Sequence, residues 1–216
     1  MPLLSTLLVG ASILIVGDSH LSKPDYLIKS LHEELTRQGA LVHSFSACGA
    51  SAGDWLISAK MVCGAERVGK GPVTLFVQAA STQPIKTLIA ADKAKFVIVV
   101  AGDTMANYKK EFARAWAWQQ TTSLSKEIAS TGATCIWVGP PWGEGGQYGK
   151  TQARVQQISN FLATNVAPCI YIDSLKFSQP GTWPTVDGQH LYPAGYQAWG
   201  MAIAKAINES PLPGKP

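Results

Sequence analysis

Short apolar runs alternating with longer helical periods organise the chain. Ile13-Leu14-Ile15-Val16 is stopped by Gly17, is too short for a helix, and predicts a buried strand. Tyr26 to Gly39 spaces Leu27, Leu31 and Leu35 at a helical period among charges, and Gly39 closes it. Leu41 to Phe45 predicts a second strand, followed by a small-residue turn from Ala47 to Gly53 and a short helix capped by Asp54. Residues 64–82 break the alternation except for a strand-like Val73 to Val77, and are expected to form an insertion or a hairpin. A helix over Ile85 to Ala91 and a strand over Phe96 to Val100 come next. A long helix then runs to Ser130, before a strand over Cys135 to Val138. A helix over Ala153 to Thr164 and a strand over Cys169 to Ile172 follow. The last helix opens with Pro193, a residue suited to the first helical position.

Five short apolar strands alternating with helices predict one α/β domain over 1–208, with a parallel sheet covered on both faces. The proline-rich segment 209–216 is expected to be a flexible tail. The chain has 216 residues, of which 46% are hydrophobic and 15% charged, enough for a well-buried core. Its net charge of +4 is spread without any basic run, so nucleic acid is not an expected partner. Met1 to Ala11 is apolar but lacks a positive leader, which argues against a signal peptide. Gly10, Ser12 and Asp18 interrupt the apolar start, so no stable membrane span is expected. The four cysteines, Cys48, Cys63, Cys135 and Cys169, lack metal-ligand spacing, and neither metal nor cofactor is expected. Cys48 and Cys63 could close a loop around a candidate site; Cys135 and Cys169 each begin a strand, where a small buried side chain is ordinary. An even count fits both an exported protein with disulfides and a cytosolic one with free thiols. The compartment stays open, with a lean towards the periplasm or the outside, and the oligomeric state is not legible.

The polar clusters fall just after strands. Ser19 lies on the turn after the first strand, where open α/β sheets bind ligands beyond the strand carboxyl ends. Near the other end stands Asp187-Gly188-Gln189-His190, an acid and a base three residues apart. A serine hydroxyl is a poor nucleophile until a base takes its proton, and that base needs an orienting partner. Of the four histidines, His32 lies among charges and is expected in solvent. His43 alternates within a strand, and His20 follows the serine, where the backbone turns it elsewhere. His190 alone has an acid at useful spacing. A rival lies in Gly49-Ala50-Ser51-Ala52-Gly53, which fits the G-x-S-x-G elbow with Asp173 and His190 downstream. Only two strands precede it, too few for the sheet that elbow needs.

With Gly17-Asp18-Ser19 near the start and Asp187-x-x-His190 near the end, the chain resembles the SGNH hydrolases, or GDSL-type esterases, over nearly its whole length. The resemblance implies a flavodoxin-like three-layer α/β/α sandwich with a five-stranded parallel sheet in the order 2-1-3-4-5. It implies Ser19, Asp187 and His190 as catalytic residues, with the Ser19 N–H in an oxyanion hole. The family's second-block glycine is assigned to Gly53, with Gly49 as the alternative. The third block departs from the family: Gly102-Asp103-Thr104 stands where the family has Gly-x-Asn. Asn107, one turn on, is preferred over Thr104 as the remaining oxyanion donor; loss of such a donor costs about 100- to 1,000-fold in rate.

Trp55, Trp142 and Trp183 fall in or beside turns at the catalytic edge, where they could stack on sugar rings or line an acyl pocket. Trp137 and Trp199 fit the core, and at most one of Trp116 and Trp118 can face inward on its helix. The expected function is a metal-independent serine esterase removing acetyl groups from O-acetylated carbohydrate or cell-wall glycan. Acyl-chain esters, as for a lipase, lysophospholipase or thioesterase, come second. A catalytically inactive carbohydrate-binding module of the same fold comes third.

Overall fold

Strand β1 (Ser12–Gly17) buries Ile13 to Val16 completely, because helices cover both faces of the sheet it centres. Ile13 and Ile15 point into one core while Leu14 and Val16 point into the other, as the two-residue period of a strand requires. The computed structural model describes residues 8–211. Residues 1–7, and residues 212–216 with most of the expected tail, lie outside the described residues.

The sheet has seven strands in the order β4-β3-β2-β1-β5-β6-β7. Its parallel part comprises β2 (Leu41–Ala47), β1, β5 (Phe96–Val100), β6 (Thr134–Val138) and β7 (Ile170–Ile172). These five pair in parallel and reproduce the expected order 2-1-3-4-5. The count of five is corrected by an antiparallel hairpin, β3 (Lys60–Val68) and β4 (Thr74–Ser81), added at the free edge of β2. β3 escaped the apolar pattern because Gly64 and Ala65 interrupt it and much of its outer half meets solvent. In β4 an extra residue near Gln78, at φ 64°, bulges the strand against β3.

Helix α1 (Leu27–Arg37) and helix α6 (Pro193–Glu209) pack together over the Ile13 and Ile15 face. The opposite face is covered by α2 (Ile85–Asp92), α4 (Arg114–Ala129) and α5 (Gln152–Asn165). The long helix expected after β5 is broken. A single turn, α3 (Asp103–Ala106), ends at Asn107, whose left-handed φ of 44° stops helical propagation before α4 begins. Asp54 does not open its short helix. Ser51 is the cap of a 3-10 turn over Ala52–Leu56, with Asp54 reaching back to the Ser51 N–H.

Two disulfides join Cys48 to Cys63, tying the end of β2 to β3, and Cys135 to Cys169, tying β6 to the start of β7. No described helix is long and apolar enough to cross a membrane.

Candidate active site

β1 ends on Gly17, and the chain turns at once into a short 3-10 helix, Ser19–Leu21, capped by the Asp18 carboxylate on the His20 N–H. The turn lifts Ser19 to the floor of a cleft of about 870 Å³ at the carboxyl ends of the parallel strands. The loop before α6 brings His190 over it. Ser19 Oγ stands 2.7 Å from His190 Nε2, and His190 Nδ1 stands 2.7 Å from Asp187 Oδ2. An ionised carboxylate only accepts, so Nδ1 carries the proton and Nε2 is left to accept from the serine hydroxyl. Asp187 is held by its own turn. Its second oxygen accepts from the N–H groups of Gln189 at 3.0 Å and His190 at 2.8 Å. Burial works to raise the Asp187 carboxyl, but these bonds and the His190 ring together hold it below the usual range.

Three rings confine the His190 imidazole: His20 at 5.2 Å, Tyr148 edge-on at 5.7 Å and Tyr26 roughly parallel at 6.1 Å. Beneath them lies a buried charge network that no sequence pattern announced. Asp103 Oδ2 lies 2.7 Å from both His20 Nε2 and Lys150 Nζ, and Tyr108 O–H donates to its other oxygen. Lys150 is fully buried. Burial pushes Asp103 up, but the Lys150 ammonium and the His20 hydrogen bond outweigh it and leave its carboxyl well below the usual range. Burial takes His20 down to about 4 despite Asp103, so the ring is neutral near pH 7. It then donates from Nε2 to Asp103 and accepts at Nδ1 from the Tyr196 hydroxyl, 2.7 Å away. Burial, then the Asp103 charge, push Asp18 up to about 7.

The candidate oxyanion donors fall out differently from their order along the chain. Gly53 does not line the cleft: its N–H donates to Gln120 Oε1 at 2.8 Å, facing α4. Gly49, the alternative, lines the cleft with φ +79°, a conformation that suits glycine. The N–H groups of Ser19 and Gly49 have no acceptor among the described residues. Thr104 lines the cleft, but its hydroxyl donates to the Ala50 carbonyl at 3.0 Å, so that proton is taken. Asn107 lines the cleft and is exposed.

Ser51 and Asp173 are not brought to His190. Ser51 Oγ lies 2.7 Å from Asp54 and 2.9 Å from Gln120, while Asp173 is bonded to Ser159 and the Leu175 N–H. The three turn tryptophans are likewise displaced. Trp55 and Trp142 are buried, Trp183 packs against the core, and none lines the cleft. Loop position did not reveal that these indoles turn inward. The cleft's aromatic lining is instead Tyr26, Phe76, Tyr108 and Tyr148. His32 is also corrected: it is fully buried between Ser44 Oγ and the Gly69 carbonyl. Trp116 and Trp118 are both exposed. Among the described residues no group of three or more His, Cys, Asp or Glu side chains is placed to hold a metal ion.

The cleft has an apolar end. Val62, Leu75 and Val77 of the β3–β4 hairpin line it while 76%, 48% and 73% exposed. Lys109, Gln147, Tyr148 and Gln189 also line it, with Lys23 over the Tyr26 ring.

No protein-family model matches the chain. Protein BcsX of Komagataeibacter xylinus is 39% identical over 208 residues, covering 94% of this chain and 79% of that protein. Among solved structures, a lipase/acylhydrolase from Enterococcus faecalis superposes with TM-score 0.60 at 18% identity, over 95% of this chain and 100% of that one. A carbohydrate acetylesterase from Sinorhizobium meliloti superposes with TM-score 0.60 at 13% identity, over 91% of this chain and 98% of that one.

Proposed function

We propose that the chain, which belongs to one family with Protein BcsX and has the fold of SGNH hydrolases, is a serine esterase working through an acyl-enzyme. The observation that carries the reading is the unbroken relay from Ser19 Oγ through His190 to Asp187, two contacts of 2.7 Å, opening onto the cleft. His190 Nε2 takes the Ser19 proton as Oγ attacks the ester carbonyl carbon. Asp187 keeps the proton on Nδ1 and offsets the charge of the imidazolium that forms. The N–H groups of Ser19 and Gly49, with the Asn107 amide, hold the oxyanion. The tetrahedral intermediate collapses, the alcohol leaves with the proton from His190, and the acyl group stays on Ser19. Water, deprotonated by His190, attacks the acyl carbon, and Ser19 regains its proton as the acid departs.

The preferred substrate is an O-acetylated carbohydrate or glycan. Tyr148, which lines the cleft and is 39% exposed, offers a face for a sugar ring, a role the sequence had pointed to in tryptophans. The shared fold with a carbohydrate acetylesterase is consistent with this substrate. A second reading, esters of longer acyl chains, is favoured by one observation: three exposed aliphatic side chains from one hairpin line the same cleft.

The test is hydrolysis of aryl acetate and aryl octanoate by the wild type, Ser19→Ala and Ser51→Ala. Loss in Ser19→Ala alone supports the mechanism, and the preferred chain length separates the two substrates. Loss in Ser51→Ala alone overturns the mechanism. An inert wild type, on these esters and on acetylated glycan, favours a binding module.

A further inference from the structure

The glycine-rich loop Trp142 to Gly149, with Lys150 at its end, carries out no step of the reaction above, yet it packs on the acid–base segment and is tied through Asp103 to the nucleophile side. Its tip is a tight turn closed at its base by reciprocal backbone hydrogen bonds of 3.0 Å between Gly145 and Lys150. On one side the turn leans on the acid–base segment. A Cβ on Gly146 would stand 2.3 Å from the Asp187 carbonyl oxygen, so the two backbones are in direct contact. The Glu144 N–H donates to the Gly188 carbonyl at 3.0 Å, and the Glu144 carboxylate accepts from the Thr185 hydroxyl. On the other side, Lys150 at the base of the turn is anchored to Asp103, which is bonded in turn to His20, the neighbour of Ser19. Tyr148 at the tip sets its ring edge-on against His190, at 81°.

We propose that the Gly145–Lys150 turn is a positioning element for the reaction: Lys150 pins it to the nucleophile side, and Tyr148 braces the His190 imidazole in line with Ser19. The inference rests on the reading of Ser19, His190 and Asp187 given above. Its logic is geometric. Ser19 and His190 are 171 residues apart, and the bond between them requires two separate loops to hold register to a fraction of an ångström. The turn contacts the His190 loop directly, and the His20–Asp103–Lys150 chain ties it to the nucleophile helix through buried, charge-assisted bonds that resist shear. Glycines at 143 and 146 allow these approaches, since a side chain at either would strike Lys150 or the Asp187 backbone.

The experiment compares Tyr148→Ala, Tyr148→Phe and Lys150→Met with the wild type, using a small aryl acetate that leaves the outer cleft empty. Positioning predicts that Tyr148→Ala lowers kcat about 10- to 100-fold, within the scale expected for a misplaced catalytic base, with KM changed less than about twofold. Tyr148→Phe, which keeps the ring edge, recovers most of that loss, and Lys150→Met lowers kcat in the same way. The proton on His190 Nδ1, hydrogen-bonded to Asp187, gives a far-downfield NMR resonance that broadens or shifts in Tyr148→Ala and Lys150→Met but not in Tyr148→Phe. Wild-type kcat and an unchanged resonance in Tyr148→Ala overturn the proposal, as does a rise in KM alone. Should Lys150→Met fail to fold by circular dichroism, the Tyr148 pair decides the matter alone. The resonance needs no turnover, so an inert wild type would count against the esterase reading while the bracing of His190 is still read.

Discussion

Replacing Lys150 with methionine reads the buried network most directly. The ammonium sits 2.7 Å from Asp103 Oδ2, with the two side chains 0% and 2% exposed. Methionine keeps much of the stem's length and volume and removes the charge. Asp103 is then left with two neutral donors, His20 Nε2–H and Tyr108 O–H, in a site closed to water. Breaking a buried pair by removing one partner costs about 3–5 kcal/mol, a large share of the roughly 5–15 kcal/mol that stabilises a domain. The deficit depends on pH with a definite sign. In the wild type, Lys150 and His20 hold the Asp103 carboxyl below its ordinary value despite burial. Its contribution is therefore present above the unfolded-state pKa of about 3.9 and lost as pH falls through the lower folded value. In Lys150→Met burial dominates and the carboxyl rises instead. The variant's deficit is then full near pH 8 and shrinks towards pH 5, as Asp103 takes up a proton. Urea denaturation followed by tryptophan fluorescence at several pH values measures this. Adding Asp103→Asn removes the orphaned charge and leaves an amide whose oxygen can accept from Tyr108 and whose N–H can donate to His20 Nε2 once that imidazole carries its proton on Nδ1. The double variant should recover about 1–3 kcal/mol through the coupling of the pair. A deficit below about 1 kcal/mol, or one indifferent both to pH and to Asp103→Asn, would refute the reasoning.

Asp18 carries the opposite sign. Its displacement from 3.8 to about 7 by burial and Asp103 amounts to about 4 kcal/mol at 1.36 kcal/mol per pKa unit. The Asp18 contribution to stability falls as pH rises from about 4 to about 7, because the unfolded chain ionises first, so in a pH series of urea curves the stability of the wild type relative to Asp18→Asn should fall across that range. For the oxyanion hole, Asn107→Ala should lower kcat on an aryl acetate about 100- to 1,000-fold. Gly53→Ala should leave kcat near wild type and lower the thermal midpoint, since its Cβ would stand 2.1 Å from Gln120 Oε1. Replacing Cys48 and Cys63 together by serine should cost about 3 kcal/mol, from the loop entropy of a 15-residue separation, read as a shift in urea midpoint under non-reducing conditions.

The alternation of apolar runs and helical periods determined the layered α/β architecture. Ile13 to Val16 and Phe96 to Val100 declare themselves as buried strands through residue type alone, because burial on both faces leaves no polar position. Ser19, Asp187 and His190 were legible for a related reason. Each sits in a short polar segment after a strand or before a helix, and few other residues of those types offer the chemistry. Tertiary structure decided what depends on direction and distance. Gly49 and Gly53 are both glycines in one small-residue turn, and only the docking of α4, through Gln120, turns the second away from the cleft. Trp55 and Trp142 are written in loops but packed in the interior, since a turn's position does not say which way an indole points. Lys150 follows a glycine-rich stretch, and nothing in its local sequence marks it. It is buried because Asp103, 47 residues earlier, waits at the end of another strand with the charge that makes burial tolerable. Local pattern carries the periodicity of elements; partnerships between loops far apart in sequence exist only once the sheet has brought their ends to one edge.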